Sequence, residues 1–235
     1  FDPSLFHDED GRKWLVSMEW DHRNQAKERV RFTGILLQEY SPAEQALVGP
    51  AKKIFEGTEI GLVEGPHLYR LNGYYYLLTA EGGTEYTHAV TIARSRTIDG
   101  PYEVHPSNPL LTSNGHKGLT IQKAGHGSLV ETPGGEWYLA HLGGRPVDGK
   151  HCILGRETSL QKCVWREDDW VYLANGGNMP EMTTLAPEGY SPAEAGLADA
   201  GWNGAFDSAN LDIQFQSLRR PITEDWLSLT ERPGW

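Results

Sequence analysis

Short strand-like segments separated by turns rich in Gly, Asp or Asn run through most of the chain, and three of them share one plan. Asp2-Pro-Ser-Leu-Phe6, Gly65-Pro-His-Leu-Tyr69 and His126-Gly-Ser-Leu-Val130 are each followed by such a turn and then by an aromatic strand. Those strands are Lys13-Trp-Leu-Val16, Tyr74-Tyr-Tyr-Leu-Leu78 and Glu136-Trp-Tyr-Leu139. Each unit is therefore predicted to open with a hairpin. Further strands are predicted at Phe32-Thr-Gly-Ile-Leu-Leu37, Ala89-Val-Thr-Ile-Ala93, Ile153-Leu-Gly-Arg-Glu-Thr158 and Trp170-Val-Tyr-Leu173. That makes about four strands per unit, as in a propeller blade.

Leu5, Leu68 and Leu129 align, which gives a period of about sixty residues, longer than the roughly forty of WD40 blades, whose signature is missing. Three blades do not close a ring, because propellers take about four to eight, so a piece of a longer protein is expected. A three-unit β domain of another kind is the alternative. After Asn178 the rhythm gives way to a Pro, Gly and Ala stretch that reads as a connector, and strand-like patterning resumes at Phe206. The expected organisation is blades over 1–178, a connector over 179–205 and the start of a second domain over 206–235.

Composition sharpens this picture. The 235 residues suit one large domain or two small ones, and eight Trp, ten Tyr and 27 scattered Gly favour an all-β fold over a helical bundle. A net charge of −11 argues against a nucleic-acid partner, which calls for clustered Lys and Arg, and suits a neutral or cationic ligand. No apolar run reaches the roughly eighteen residues of a membrane span, so no membrane partner is expected. Cys152 and Cys163 lack metal-knuckle spacing and read as two buried free thiols. The start at Phe1 leaves localisation open, with the cytoplasm slightly favoured over export.

The candidate chemistry lies at the unit openings. The first strand of each propeller blade lines the central channel, so equivalent opening positions converge there. Three residues before the aligned Leu stand Asp2, Gly65 and His126, with Glu64 one step earlier. Glu64 follows an apolar stretch, and burial beside apolar groups raises a carboxyl pKa until the group can donate a proton near neutral pH. A structural Glu bonded to turn amides is the equal alternative from local sequence alone. Asp2 precedes Pro3, where a turn is the ordinary explanation; across a channel its charge would keep Glu64 protonated. His126, between two glycines, suits a sugar contact, a water or cation site, or a structural role. Arg156 lies in a predicted apolar strand and needs an acidic or hydroxyl partner, Glu157 being the nearest. Trp20 suits either sugar stacking or the core, and the Tyr74–Tyr76 run suits the core.

Walker A, HExxH, GxSxG and Rossmann glycine motifs are all missing. The ordered set Phe1-Asp-Pro-Ser-Leu-Phe-His-Asp-Glu-Asp-Gly-Arg-Lys13, Trp20-Asp-His-Arg23, Val63-Glu-Gly-Pro-His-Leu-Tyr69, Thr79-Ala-Glu-Gly-Gly-Thr84, Ser95-Arg-Thr-Ile-Asp-Gly-Pro-Tyr-Glu103, Gly125-His-Gly-Ser-Leu-Val-Glu-Thr132, Trp137-Tyr-Leu-Ala-His141 and Leu154-Gly-Arg-Glu-Thr158 resembles glycoside hydrolase family 43, particularly its bacterial β-xylosidases and α-L-arabinofuranosidases. The resemblance implies a five-bladed β-propeller, of which this chain covers about three blades, with 206–235 at the start of a C-terminal β-sandwich. It implies an inverting, exo-acting hydrolase that releases xylose or arabinose from xylo-oligosaccharides or arabinoxylan without an organic cofactor. By the same resemblance Glu64 falls on the general acid, Asp2 on the residue that tunes and orients it, and Arg156 and His126 on active-site positions. Trp20 and Thr84 fall on subsite lining, and a calcium ion is expected beside His126. Self-association of the full-length protein is allowed for.

One departure stands out. The family's general base is an aspartate in an Asn-Pro-Asp-Pro type motif, and no such segment occurs here, so the isolated segment is expected to be inactive. A non-catalytic carbohydrate-binding propeller or degenerate homologue is the second reading, and a protein-interaction propeller the third.

Overall fold

The structure is a computed structural model that describes residues 1–23, 31–147 and 149–190. Its strands form three antiparallel meanders. The first runs in the order β1 (Ser4–His7), β2 (Lys13–Trp20), β3 (Phe32–Ser41) and β4 (Ala46–Phe55). The second runs β5 (Glu64–Leu71), β6 (Tyr74–Glu81), β7 (Ala89–Ser95) and β8 (Glu103–Val104), with β9 (Leu111–Thr112) also on β7. The third runs β10 (Gln122–Glu131), β11 (Trp137–Gly144), β12 (Glu157–Trp165) and β13 (Val171–Leu173). The chain is all-β over the described residues, as the pattern predicts.

The repeat holds down to register. Each aligned leucine faces a leucine across its hairpin: Leu5 opposite Leu15, Leu68 opposite Leu77 and Leu129 opposite Leu139. In the middle hairpin Asn72 and Gly73 take φ of 50° and 73°, the left-handed pair that a tight β-turn of matching twist demands. Pro50 stands in β4, an edge strand, where a missing amide hydrogen leaves no ladder bond broken.

Two apolar clusters lie between neighbouring sheets. Val16, Ile35, Leu37, Val63, Leu68 and Leu77 fill the first, and Tyr76, Leu78, Val90, Ile92, Leu129 and Leu139 belong to the second. Pleating sends Leu77 to one cluster and Tyr76 and Leu78 to the other, so the middle sheet is covered on both faces. That is why β6 reads as an unbroken apolar run without alternation.

The first strands of the sheets are stitched side by side. The Ser4 hydroxyl donates to Pro66 O at 2.7 Å, Ser128 Oγ and His67 Nε2 bond at 3.2 Å, and the Leu129 amide donates to the Tyr69 hydroxyl at 2.8 Å.

Two expectations need correction. The predicted strand at 153–158 starts only at Glu157, because the Gly155 amide closes a turn onto Cys152 O at 3.0 Å and Gly155 takes a φ of 73°. Ile153 and Leu154 are consequently 73% and 61% exposed. Of the two free thiols, Cys163 is buried and its pKa is pushed up to about 12 by desolvation, whereas Cys152 is only half-buried.

One compact unit spans Phe1–Glu188. Residues 179–188 carry no strand but fasten onto the third sheet: Gln161 exchanges two 3.0 Å bonds with the Glu181 backbone, and the Tyr138 hydroxyl donates to Leu185 O at 2.9 Å. The second unit, Gly189–Trp235, lies almost wholly outside the described residues, and with it the rest of the expected connector and the expected sandwich start at 206–235.

Leu77→Ala, at a fully buried site between two sheets, is expected to destabilise the fold by about 2–5 kcal/mol. Leu47→Ala, at a 44% exposed position of β4, should stay within about 0.5 kcal/mol. Urea unfolding of both variants checks the contrast.

Candidate active site

The three equivalent opening positions share one unusual backbone. Asp2, Gly65 and His126 have φ of 47°, 56° and 45°. An L-residue in this left-handed region costs on the order of 1 kcal/mol, which glycine avoids and which Asp and His tolerate better than most. The ladder is irregular at the same places, with register shifts between Glu64 and His67 and on either side of Gly125. Such bulges turn side chains out of the ordinary in-and-out alternation.

Glu64, the first residue of β5, is half-buried and stands opposite Ala80 of β6. Desolvation is the main cause that pushes its carboxyl pKa up to about 6; the negative charge of Asp2 adds to the rise, and the guanidinium of Arg156 opposes it. Asp2 and Arg156 thus act on Glu64 with opposite signs. The imidazole of His126 lies against Gly65: a Cβ at Gly65 would sit 2.5 Å from His126 Nε2.

Two further histidines adjoin this group. Burial lowers the His67 pKa, and the charge of His126 lowers it further. His88 is fully buried, with its pKa pushed down to about 4 chiefly by desolvation. Its Nδ1 faces Gly83 O, an acceptor only, so Nδ1 carries the hydrogen and Nε2 is left as an acceptor without a protein partner. Its ring lies so close to Gly125 that any β-carbon there would collide with it.

The structure brings together Asp2, Glu64, His126 and Arg156. Arg156 does not lie in an apolar strand; it is exposed in the segment just before β12, and Glu157 pairs with Arg145 at 2.7 Å instead. Trp20 ends β2 within an aromatic group, with ring centroids 4.9 Å from Phe32 and 5.8 Å from Phe1. Thr84 is exposed on the β6–β7 loop, which is tied to the segment before Glu64 by a 2.8 Å bond from the Gly82 amide to Gly61 O. A separate cleft of about 590 Å³ between the first two sheets is lined by Arg12, Trp14, Arg70 and Tyr75 and by none of the site residues.

His67, His88 and the fully buried Glu81 escaped the sequence reading. Gly125 beside His126 was the available signal for His88, since glycine next to a polar residue marks close approach. A carboxylate at the end of the apolar β6 run was the signal for Glu81. A hard cation prefers oxygen ligands. No group of three His, Cys, Asp or Glu side chains collects as a metal cage among the described residues, so a cation beside His126 would rest chiefly on water.

Residues 1–171 match the profile of Glycosyl hydrolases family 43. The chain belongs to glycoside hydrolase family 43. Residues 203–235 match the Beta xylosidase C-terminal Concanavalin A-like domain. The chain is 50% identical to a beta-xylosidase of Bacillus subtilis (strain 168) over all of this chain and 44% of that protein. It is 59% identical to Xylosidase/arabinosidase 43B of Humicola insolens over 75% of this chain and 32% of that one. Among solved structures, xylan beta-1,4-xylosidase from Bacillus halodurans C-125 superposes with a TM-score of 0.87 at 56% identity, covering 99% of this chain and 44% of that one. The chain thus spans less than half the length of the curated family 43 relatives named here.

Asp2→Asn should lower the Glu64 pKa below about 6, and Arg156→Ala should raise it; carbon-13 NMR titration of the Glu64 carboxyl reads both signs. Gly65→Ala should displace the His126 ring and destabilise the fold by about 1 kcal/mol or more, as read by His126 chemical shifts and thermal unfolding.

Proposed function

We propose that this chain carries the proton-donating half of an inverting, exo-acting glycosidase that releases xylose and/or arabinose from xylo-oligosaccharides or arabinoxylan. The observation that carries the reading is the half-buried Glu64 carboxyl, with a pKa near 6, set between the opposing charges of Asp2 and Arg156. Relatives support the sugar class: besides the Bacillus subtilis beta-xylosidase, a non-reducing end alpha-L-arabinofuranosidase of Bacteroides ovatus is 37% identical over 85% of this chain.

Glycosidic oxygen is a poor leaving group until it is protonated. Glu64, still largely protonated below pH 6, gives its proton to that oxygen as the bond to the anomeric carbon breaks. The carboxylate left behind is stabilised by Arg156, while Asp2 favours its reprotonation for the next turnover. Inversion also requires a second carboxylate that activates water about 6.5–9.5 Å from the acid. The chain contains no Asn-Pro-Asp-Pro type segment, so that base is assigned to another part of the whole protein or to another chain. The three meanders are read as blades of a five-bladed propeller, and the segment after Asn178 as the connector toward the β-sandwich.

The test uses a nitrophenyl β-xyloside and the matching arabinofuranoside, with this chain and with a form extended upstream. Turnover in the extended form alone is the expected result; sugar binding without turnover in either form would favour a carbohydrate-binding role. In the active form Glu64→Gln should cut hydrolysis of substrates with alkoxide leaving groups by about 10²–10⁴-fold. Nitrophenolate release should fall far less. The parent's rate on alkoxide substrates should decline as pH rises through about 6, where Glu64 loses its proton. Unchanged rates in Glu64→Gln would remove it from the acid role.

A further inference from the structure

Glu81, the last residue of β6, is 0% exposed, and donors surround both of its carboxylate oxygens. The Thr58 amide lies 3.0 Å from Oε1 and 3.1 Å from Oε2, and the Thr58 hydroxyl donates to Oε2 at 2.7 Å. The Gly61 amide donates to Oε2 at 3.1 Å and the Thr91 hydroxyl to Oε1 at 2.9 Å. The two backbone amides can only donate, so they favour the ionised carboxyl, while burial favours the neutral one. When Glu81 is ionised the Thr91 hydroxyl gives its single hydrogen to it, and Thr79 is then the donor in its 2.7 Å bond with Thr91. Burial dominates and leaves the Glu81 pKa raised, with the Thr58, Thr91 and Gly61 donors opposing the rise.

What this cage holds is the loop 56–63, which carries the chain from the edge strand β4 into Glu64. The loop has no regular structure, and Gly57, Gly61 and Leu62 all take left-handed φ values of 89°, 74° and 57°. Backbone amides need partners: Glu81 takes that of Thr58, and the Gly61 amide is shared between Glu81 and Thr58 O, each at 3.1 Å. Glu64 itself pairs with Ala80, one residue from Glu81 along β6. The loop that delivers Glu64 and the strand that faces it therefore meet at one carboxylate.

We propose that Glu81 is a positioning residue for Glu64: its caged carboxylate fixes the irregular loop from which Glu64 enters the site and so sets how deeply the Glu64 carboxyl is buried. The proposal rests on the reading of Glu64 as the acid. Glu81 touches no substrate, because both oxygens are sealed inside the protein.

Glu81→Gln keeps the shape but turns an amide NH2, itself a donor, toward the donors, which should release the loop. In carbon-13 titrations of this chain labelled at Glu carboxyls, with Glu64→Gln assigning the resonance, Glu64 should titrate near 6 in the parent. In Glu81→Gln its proton affinity should fall by about tenfold, and exchange of the Thr58 and Gly61 amides should accelerate by at least about tenfold. Leu173→Ala, a core truncation in the third sheet, controls for lost stability and should leave the Glu64 titration in place. A parent value near 6 that Glu81→Gln does not move, or that Leu173→Ala moves equally, overturns the positioning role alone. A parent Glu64 titrating near 4.5 overturns the acid reading and this proposal with it. Should Glu81→Gln not fold, Thr58→Val removes one donor and keeps the carboxylate; a smaller shift in the same direction is expected, and no shift counts against the proposal.

Discussion

The site depends on a backbone constraint repeated three times: a left-handed residue stands just before β1 at Asp2, and within β5 and β10 at Gly65 and His126. A strand that began in the ordinary extended conformation would alternate its side chains between the two faces of its own sheet. The left-handed step and the bulges beside Glu64 and Gly125 break that alternation at the start of β5 and inside β10. Polar side chains are released there from the sheet interfaces, which stay apolar. Hydrogen bonds from Ser4, Ser128 and Leu129 then hold the three mouths side by side.

Given that placement, the electrostatics follow from competition between desolvation and charge. Glu64 is buried enough to disfavour its anion, yet close enough to Arg156 for that penalty to stay moderate, which leaves a carboxyl poised at about 6. The neighbouring histidines meet the same burial with the opposite sign. His67 and His88 are driven toward the neutral form, so they add shape and hydrogen bonding to the site with little positive charge that would drain the acid of its proton. Close packing against Gly65 and Gly125 fixes where the rings of His126 and His88 stand, so those glycines act as spacers for imidazoles.

Glu81 shows how an all-β scaffold accommodates a buried carboxyl group. Its cage draws on two loop amides and two hydroxyls and uses no cation, so the carboxylate serves the backbone of an irregular loop. The connection it stabilises runs from one sheet to the next, where ladder hydrogen bonds are unavailable. Order at the mouth of β5 thus comes from this side chain together with the backbone bond from the Gly82 amide to Gly61 O.

The repeat, the hairpins at its openings and the all-β class were legible in the chain because strand periodicity and turn residues are local signals. So was the ordered motif set that places the chain in family 43, and with it the candidacy of Asp2, Glu64, His126 and Arg156. Local signals failed where a long-range contact decides. The apolar Ile153 and Leu154 predicted a strand that the Cys152–Gly155 turn delays, and Arg156, expected in that strand, is exposed outside it. Cys152 looked as burial-prone as Cys163, yet only Cys163 falls between packed sheets. His88 and Glu81 carry no motif of their own, and their roles arise from what lies across from them: Gly125 in another sheet for one, Thr58 and Gly61 in a distant loop for the other. The sequence by itself determined the all-β class and which residues are candidates for the chemistry. The tertiary structure decided how far Glu64 is desolvated and which charges reach it, because solvent exclusion and Coulomb energy depend on separation in space and are not encoded by spacing along the chain.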